Sequence, residues 1–247
     1  MDRIALITDT EPVVRHDDLF PATRQRPGVT SLEAELERAR SLSVERIADA
    51  IESIGFECTR CGACCTAQGA DDHTATVFPD EVRRLQDAAD ADWRDVARPM
   101  PFGLSPGADG PEGETFEWSL QTDACGDCVF YREDDGVGAC TVHADRPLIC
   151  ATYPFSLALD GTTQPMGEAV DSAGIVRAHE CEGLGREIDR ADAEELAATL
   201  RERTIRELAE AIAVRDGYEP ADPDPGEVIV HDSEGAKYPD GNPIDRS

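Results

Sequence analysis

Four cysteines lie within eight residues of this 247-residue chain, in the order Cys58-x2-Cys61-x2-Cys64-Cys65. Thiolates are soft ligands, and they select zinc and iron–sulfur centres over hard cations. Each C-x2-C step lets two sulfurs of one tight turn reach the same ion, and consecutive steps resemble the ligand run of a ferredoxin-type cluster. The spacing therefore predicts a metal centre and leaves zinc and iron–sulfur open, although the steps in register favour iron.

The remaining cysteines are Cys125, Cys128, Cys140, Cys150 and Cys181, which brings the total to nine. Buried packing is the alternative role for a free cysteine, because its side chain behaves as a small hydrophobe. An odd total and the adjacent Cys64-Cys65 pair fit a disulfide framework badly. The first residues do not have the character of a signal peptide, and no apolar run of about 18 residues occurs. We therefore expect a cytoplasmic protein, in which clustered cysteines bind metal.

Four ordered segments of the chain resemble a known family. The sequence FECTRCGACC at 56–65 resembles the opening motif of the YkgJ-like CxxCxxCC family, described as zinc- or iron-chelating. The sequence CVF at 128–130 resembles its second element, CTVHADRPLICATYPF at 140–155 its third, and ECEG at 180–183 its last. The resemblance covers about residues 56–183.

The resemblance implies a set of metal ligands. These are Cys58, Cys61, Cys64, Cys65, Cys128, Cys140, Cys150 and Cys181. Eight thiolates suffice for two four-cysteine sites or for one centre with several bystanders. The chain departs from the family pattern at Ala151, where an arginine usually follows the cysteine, and Cys125 is additional to the family set and could be a spare thiol or an alternative to Cys128.

Three arginines lie close to these cysteines in sequence: Arg60, Arg146 and Arg177. Thiolates in a chain with a net charge of −29 need local cations. We therefore hypothesise that these arginines donate to thiolate sulfur and support the metal site. Pairing with surface acids is the alternative. Of the five histidines, His73 and His179 lie near cysteines in sequence, and His179 could serve as a nitrogen ligand. His143 could be a ligand or an acid–base group but is interpreted as a partly buried side chain, and His16 and His231 are expected to be exposed.

The charge of the chain excludes some partners. Its 52 acidic residues outnumber 23 basic ones, and the only lysine is Lys237. Such a chain is repelled by nucleic-acid phosphates and by anionic membranes. Because the acids are spread along the whole chain and arginine replaces lysine, the composition indicates a halophilic protein whose charge is screened by salt. No protein partner is predicted.

Apolar residues at helical spacing predict the elements that flank the cysteines. Two helices are expected within 31–55, where Ser31 and Ser43 are placed as N-caps. A third helix is expected at 79–89 after Pro79, and a long one from about 191 to 214. The outer helices are interpreted as a packing platform beside the site.

Short strands are expected between the helices. Alternating residues at 116–120 predict a half-buried strand, and Asp134-Asp135-Gly136 predicts a hairpin that brings Cys128 near Cys140. The fold class is α+β, a small cysteine-rich metal-centred domain with flanking helices. The expected organisation is an irregular leader at 1–30, helices at 31–55, the cysteine domain at 56–183, a helix at 184–216 and an acidic, proline-rich disordered tail at 217–247.

The expected function is chelation of iron, as an iron–sulfur cluster, or of zinc by cysteine thiolates. One alternative is a redox or protein-methylating enzyme component, because the family has flagellin lysine N-methylases among its relatives. Another is a non-catalytic metal carrier or interaction module. No glycine-rich loop follows a strand, as a Rossmann-type methyltransferase would require.

Overall fold

The structure is a computed structural model, described for residues 30–67, 73–108, 110–159 and 167–244. It combines helices with several small sheets of short strands, which confirms the α+β class. The helices are α1 (Leu32–Ser41), α2 (Val44–Ile54), α3 (Pro79–Ala89), α4 (Trp93–Val96), α5 (Leu148–Thr152) and α6 (Arg190–Gly217), and His143–Asp145 forms a 3-10 turn. The strands are β1 (Thr76–Val77), β2 (Ala97–Pro99), β3 (Ser105–Pro106), β4 (Pro111–Thr115), β5 (Trp118–Leu120), β6 (Tyr131–Asp134), β7 (Val137–Cys140), β8 (Phe155–Leu157), β9 (Ala169–Ala173), β10 (Val176–His179), β11 (Val228–Asp232) and β12 (Gly235–Lys237).

The helices α1 and α2 begin where the sequence predicts. The Ser31 hydroxyl accepts from the Ala34 N–H and the Ser43 hydroxyl from the Arg46 N–H, so each satisfies a donor at a helix start. Both helices pack on α6, and the buried Ile47 and Ile51 share a core cluster with Leu200 of α6. Among the described residues, no helix is both long and apolar enough to cross a membrane.

The strands form four small sheets, in the orders β1-β5-β2, β8-β10-β9, β12-β11-β4-β3 and β6-β7. The strand predicted at 116–120 is shorter than expected and is buried on both faces. Ser119 has no exposed surface, because β5 is the central strand of its sheet and is covered on each side. The expectation of a half-buried strand was therefore wrong.

The predicted hairpin is formed by β6 and β7. Asp135 and Gly136 make the turn with φ of 49° and 78°, the left-handed conformation of a tight two-residue hairpin loop. The register places Cys140 opposite Tyr131, and Cys128 pairs with Thr122 just before the hairpin.

The C-terminal segment corrects the expectation of disorder at 217–247. Strand β11 pairs in parallel with β4 and antiparallel with β12. Ile229 and Val230 are buried, and His231, expected to be exposed, is 3% exposed. The high average content of proline and acidic residues in this segment hides the short apolar strand β11. Its buried side chains stabilise the folded strand. The expected leader, apart from residue 30, and His16 lie outside the described residues.

A buried ion pair joins the two strands of the C-terminal hairpin, β11 and β12, and a hydrogen bond from Trp118 fastens the hairpin to the core. Lys237 Nζ lies 2.8 Å from Asp232 Oδ2, and both side chains are almost fully buried. The same carboxylate oxygen accepts from the Trp118 indole N–H at 2.8 Å. The only lysine of the chain therefore neutralises a buried acid.

Replacing Lys237 by methionine should leave Asp232 as an uncompensated buried charge. We expect the free energy of unfolding to fall by about 3 kcal/mol, because breaking a buried pair from one side is strongly destabilising. Denaturant unfolding measures the change. The exposed pair Arg40–Glu37 provides the control, since Arg40→Gln should change stability little. A loss in Lys237→Met no larger than that of the control would contradict this assignment.

Candidate metal centre

The cysteine loop, residues 56–67, is fixed at its start by the segment that carries Cys181. The Glu57 N–H donates to the Gly183 carbonyl at 3.0 Å, and the Gly185 N–H donates to the Gly55 carbonyl at 3.0 Å. A Cβ atom at Gly183 would lie 2.2 Å from the Glu57 carbonyl oxygen, so only glycine permits this approach. The contact brings the chain at Cys58 beside the chain at Cys181.

The rest of the cysteine loop is fixed by the β6–β7 hairpin and the residues before it. The Cys128 N–H donates to the Cys65 carbonyl at 2.9 Å, and the Gly138 N–H donates to the Arg60 carbonyl at 2.7 Å. Backbone bonds therefore attach the loop to two chain segments that are distant in sequence.

Four cysteines pack against one hydrophobic cluster, and we call them the inner group: Cys65, Cys128, Cys140 and Cys150. Cys128 is 7% exposed and the other three are partly buried. Burial, with the nearby Cys140, raises the pKa of the Cys128 thiol to about 11. Burial also raises the pKa of Cys150, and the neighbouring thiols Cys128 and Cys140 add to the shift. Thiolates here need a metal ion, because a coordinating cation deprotonates thiols that would otherwise stay neutral.

The other four cysteines of the family set form the outer group: Cys58, Cys61, Cys64 and Cys181. The first three are exposed and Cys181 is partly buried. Burial raises the pKa of Cys181, and the charges of Cys64, Cys61 and Cys58 raise it further. Cys181 therefore lies within electrostatic reach of the other three cysteines of this group.

Cys64 and Cys65 join the two groups. Their Sγ atoms are 3.8 Å apart, and this contact lowers the pKa of Cys64 to about 7 while it raises that of Cys65. Within the described ranges no three His, Cys, Asp or Glu side chains already form an ion site. The donor set fits a soft metal, and its side chains must turn to enclose one.

The three arginines differ in their positions. The charge of Arg146 contributes to lowering the pKa of Cys64, and its Nη1 lies 2.7 Å from His143 Nε2. Arg60 lies near the same histidine. The positive charge of Arg146, and to a lesser extent burial and the charge of Arg60, lower the His143 pKa. Arg177 donates instead to the Gly174 and Val176 carbonyls at 2.8 and 3.2 Å. The structure thus brings Arg146 to the thiols, whereas the described contacts of Arg177 are with the β9–β10 turn.

His73 and His179 are packed side chains, whereas His143, expected to be partly buried, is exposed. His73 is 8% exposed, and burial lowers its pKa. His179 is buried, with Nε2 2.8 Å from Ser156 Oγ. Cys125 is exposed in a turn where its N–H donates to Asp123 Oδ1 at 2.8 Å. It belongs to neither cysteine group by these contacts.

Glu81 positions the helix that carries Cys150, a role that the sequence analysis missed. Its side chain is fully buried and accepts from the Leu148 N–H at 2.9 Å and the Phe78 N–H at 3.1 Å. Burial raises its pKa despite these bonds. The acid-rich start of α3 indicates the bond to Phe78, but nothing local in the sequence indicates the bond to Leu148 at the start of α5.

Tyr153 is a second residue that the sequence analysis did not place in the site. Its hydroxyl donates to the Glu180 carbonyl, next to Cys181. Burial raises its pKa to about 12, and the Cys181 and Cys64 thiols add to the shift. Tyr153 therefore ties the segment that follows Cys150 to the segment that carries Cys181.

An open cleft of about 2400 Å³ reaches the outer group. Cys61, Cys64 and Cys181 line it, together with Tyr153 and His73. Among the described residues that line it, none belongs to the inner group. The two groups therefore differ in access as well as in burial.

Comparison with family models gives a match over residues 57–182, to the CxxCxxCC family, described as “Putative zinc- or iron-chelating domain”. The match covers half of the chain, and the chain belongs to this family. Comparison with curated proteins and with solved structures found no match. Family membership and the gathered cysteines together identify a metal-binding protein.

Gly62 offers a test of how the cysteine loop is held. It has φ of 78°, and a Cβ there would lie 2.2 Å from the Tyr131 hydroxyl oxygen. Gly136 also has φ of 78° but nothing within 4 Å of its Cβ position, so it is a matched control. Gly136→Ala should cost about 1 kcal/mol of stability from backbone strain alone.

Gly62→Ala should lower the free energy of unfolding by at least about 1 kcal/mol more, because the added methyl group also overpacks against Tyr131. Bound metal per chain should fall in this variant and stay unchanged in Gly136→Ala. Thermal unfolding and elemental analysis measure both effects. Equal losses in the two variants would mean that the Tyr131 contact does not hold the loop.

Proposed function

We propose that this protein chelates metal through two four-cysteine centres, and that the outer group holds an iron–sulfur cluster. The observation that carries the proposal is the order of cysteines in the outer group. Cys58, Cys61 and Cys64 follow one another in C-x2-C steps, and the Glu57–Gly183 hydrogen bond brings a distant fourth cysteine, Cys181, beside them. Three closely spaced cysteines with one remote partner is a ligand pattern of iron–sulfur proteins.

The inner group suits a second, closed metal site. Its four thiols come from the cysteine loop, the hairpin and α5, and they share one apolar surrounding. Four thiolates without a free position are typical of structural sites, which zinc occupies as readily as iron. A metal there would add to the backbone hydrogen bonds that already join the cysteine loop to Cys128 and Gly138. Zinc in both groups is the alternative for the metal.

Charge balance supports metal rather than free thiolates. Each group would carry up to four negative charges in a chain whose net charge is already −29. Of the three arginines, Arg146 has a described effect on one of these cysteines, because its positive charge helps to lower the pKa of Cys64. Metal cations supply the missing positive charge, while the positive charge of Arg146 stabilises the thiolate of Cys64, where the two groups meet.

The cleft favours a second candidate for the biological role, a redox or group-transfer enzyme component. A purely structural protein does not need a large open cleft ending at three cysteines of a metal centre. In that case the outer centre would face the reacting molecule and the inner centre would maintain the fold. A metal carrier would use the same opening for transfer.

Anaerobic purification tests the proposed metal. We expect a brown protein that contains iron and acid-labile sulfide, with additional iron or zinc from the inner group. Cys61→Ser should remove the sulfide and the visible absorption, because one of four cluster ligands is lost. Cys125→Ser should leave both unchanged. A colourless protein with zinc alone would disprove the cluster, and a protein free of metal after anaerobic purification would disprove chelation.

A further inference from the structure

Resting on the proposed function, we infer that the two cysteine groups have different roles: the outer group exchanges its metal through the cleft, and the inner group releases its metal much more slowly. The proposal concerns access to each site and not the identity of the metal. It assigns a labile centre to Cys58, Cys61, Cys64 and Cys181. It assigns a fold-maintaining centre to Cys65, Cys128, Cys140 and Cys150.

Exposure is the first observation behind this assignment. Three of the four outer cysteines are exposed, whereas no inner cysteine is. A competing ligand can approach an exposed thiolate from solvent and replace it one bond at a time. A ligand for the inner site must first separate packed side chains, because Cys128 lies inside a cluster with Trp118 and Phe130.

The cleft is the second observation, and it is independent of residue exposure. Cys61, Cys64 and Cys181 line part of it, and its volume of about 2400 Å³ is large enough to admit a small chelating molecule or the side chain of a partner. Aromatic and apolar residues, among them Phe116 and Tyr218, continue its wall away from the cysteines. The outer site is therefore approached from an existing space, whereas no described residue of the inner group lines this space.

The anchoring of the inner group is the third observation. Cys65 and Cys128 are joined by a backbone hydrogen bond of 2.9 Å, and Cys140 lies in a strand paired with β6. Cys150 lies on α5, whose start is held by the buried Glu81. Releasing metal from this group requires local opening of several elements together, which is rarer than the motion of an exposed loop.

Release to a chelator tests the inference on the anaerobically purified protein. With excess EDTA we expect metal to be released in two phases. The rate of the fast phase should exceed that of the slow phase by roughly ten-fold or more, because the fast phase needs no opening of packed elements. The metal ions that leave are bound by EDTA, the inorganic sulfide of a cluster is protonated and leaves as hydrogen sulfide, and the freed cysteine thiolates are protonated or alkylated by N-ethylmaleimide. Mass spectrometry of the alkylated cysteines should show the outer group modified during the fast phase and the inner group only during the slow phase.

Two variants and the total metal content separate the possible outcomes. Cys61→Ser should abolish the fast phase and keep the slow one, and Cys125→Ser, an exposed cysteine outside both groups, should keep both. The alkylation pattern of the wild-type protein distinguishes the two groups by itself. The test therefore needs no substitution of an inner cysteine, which would risk unfolding the protein. Release in one phase, or inner cysteines modified as fast as outer ones, would overturn the division of roles while the proposed chelation stands. A protein without bound metal would overturn both.

Discussion

Backbone hydrogen bonds that hold the cysteine loop from two sides are the constraint on which the site depends. The loop has no helix or extended strand of its own, and apart from the Cys65–Gly62 bond its described backbone hydrogen bonds run to other segments. The partners are Gly183 on one side and Cys128 and Gly138 on the other. Because these partners belong to segments that are far apart in sequence, closing the loop orders most of the cysteine domain at once.

The same arrangement explains why Cys64 and Cys65 are adjacent. One neighbouring pair lets a single short loop contribute to a group at the surface and to a group in the core. Cys64 acts electrostatically on Cys181 of the outer group and on Cys128 of the inner one. Two metal centres built this way would be coupled through one peptide unit, so the position of the loop sets the geometry of both.

Local sequence signals predicted the local structure well. Serine caps and helical spacing located α1, α2 and α3, and the Asp-Gly turn located the β6–β7 hairpin. The eight clustered cysteines followed from spacing and from the family resemblance. Their division into two groups did not, because it depends on contacts between distant segments, such as Glu57 with Gly183 and Glu81 with Leu148. No local pattern encodes which cysteine meets the apolar cluster.

The C-terminal hairpin shows how a distant segment supports the inner group. Val230 of β11 belongs to the same hydrophobic cluster as Trp118 and Cys128, and the Trp118 indole donates to Asp232 of the same strand. The segment that composition assigned to disorder therefore closes the apolar surrounding of the inner cysteines. Burying four thiols in this cluster is unfavourable for their charged forms, and a bound metal would reverse that cost. Metal in the inner group would consequently stabilise the C-terminal hairpin, the β1-β5-β2 sheet and the cysteine loop together.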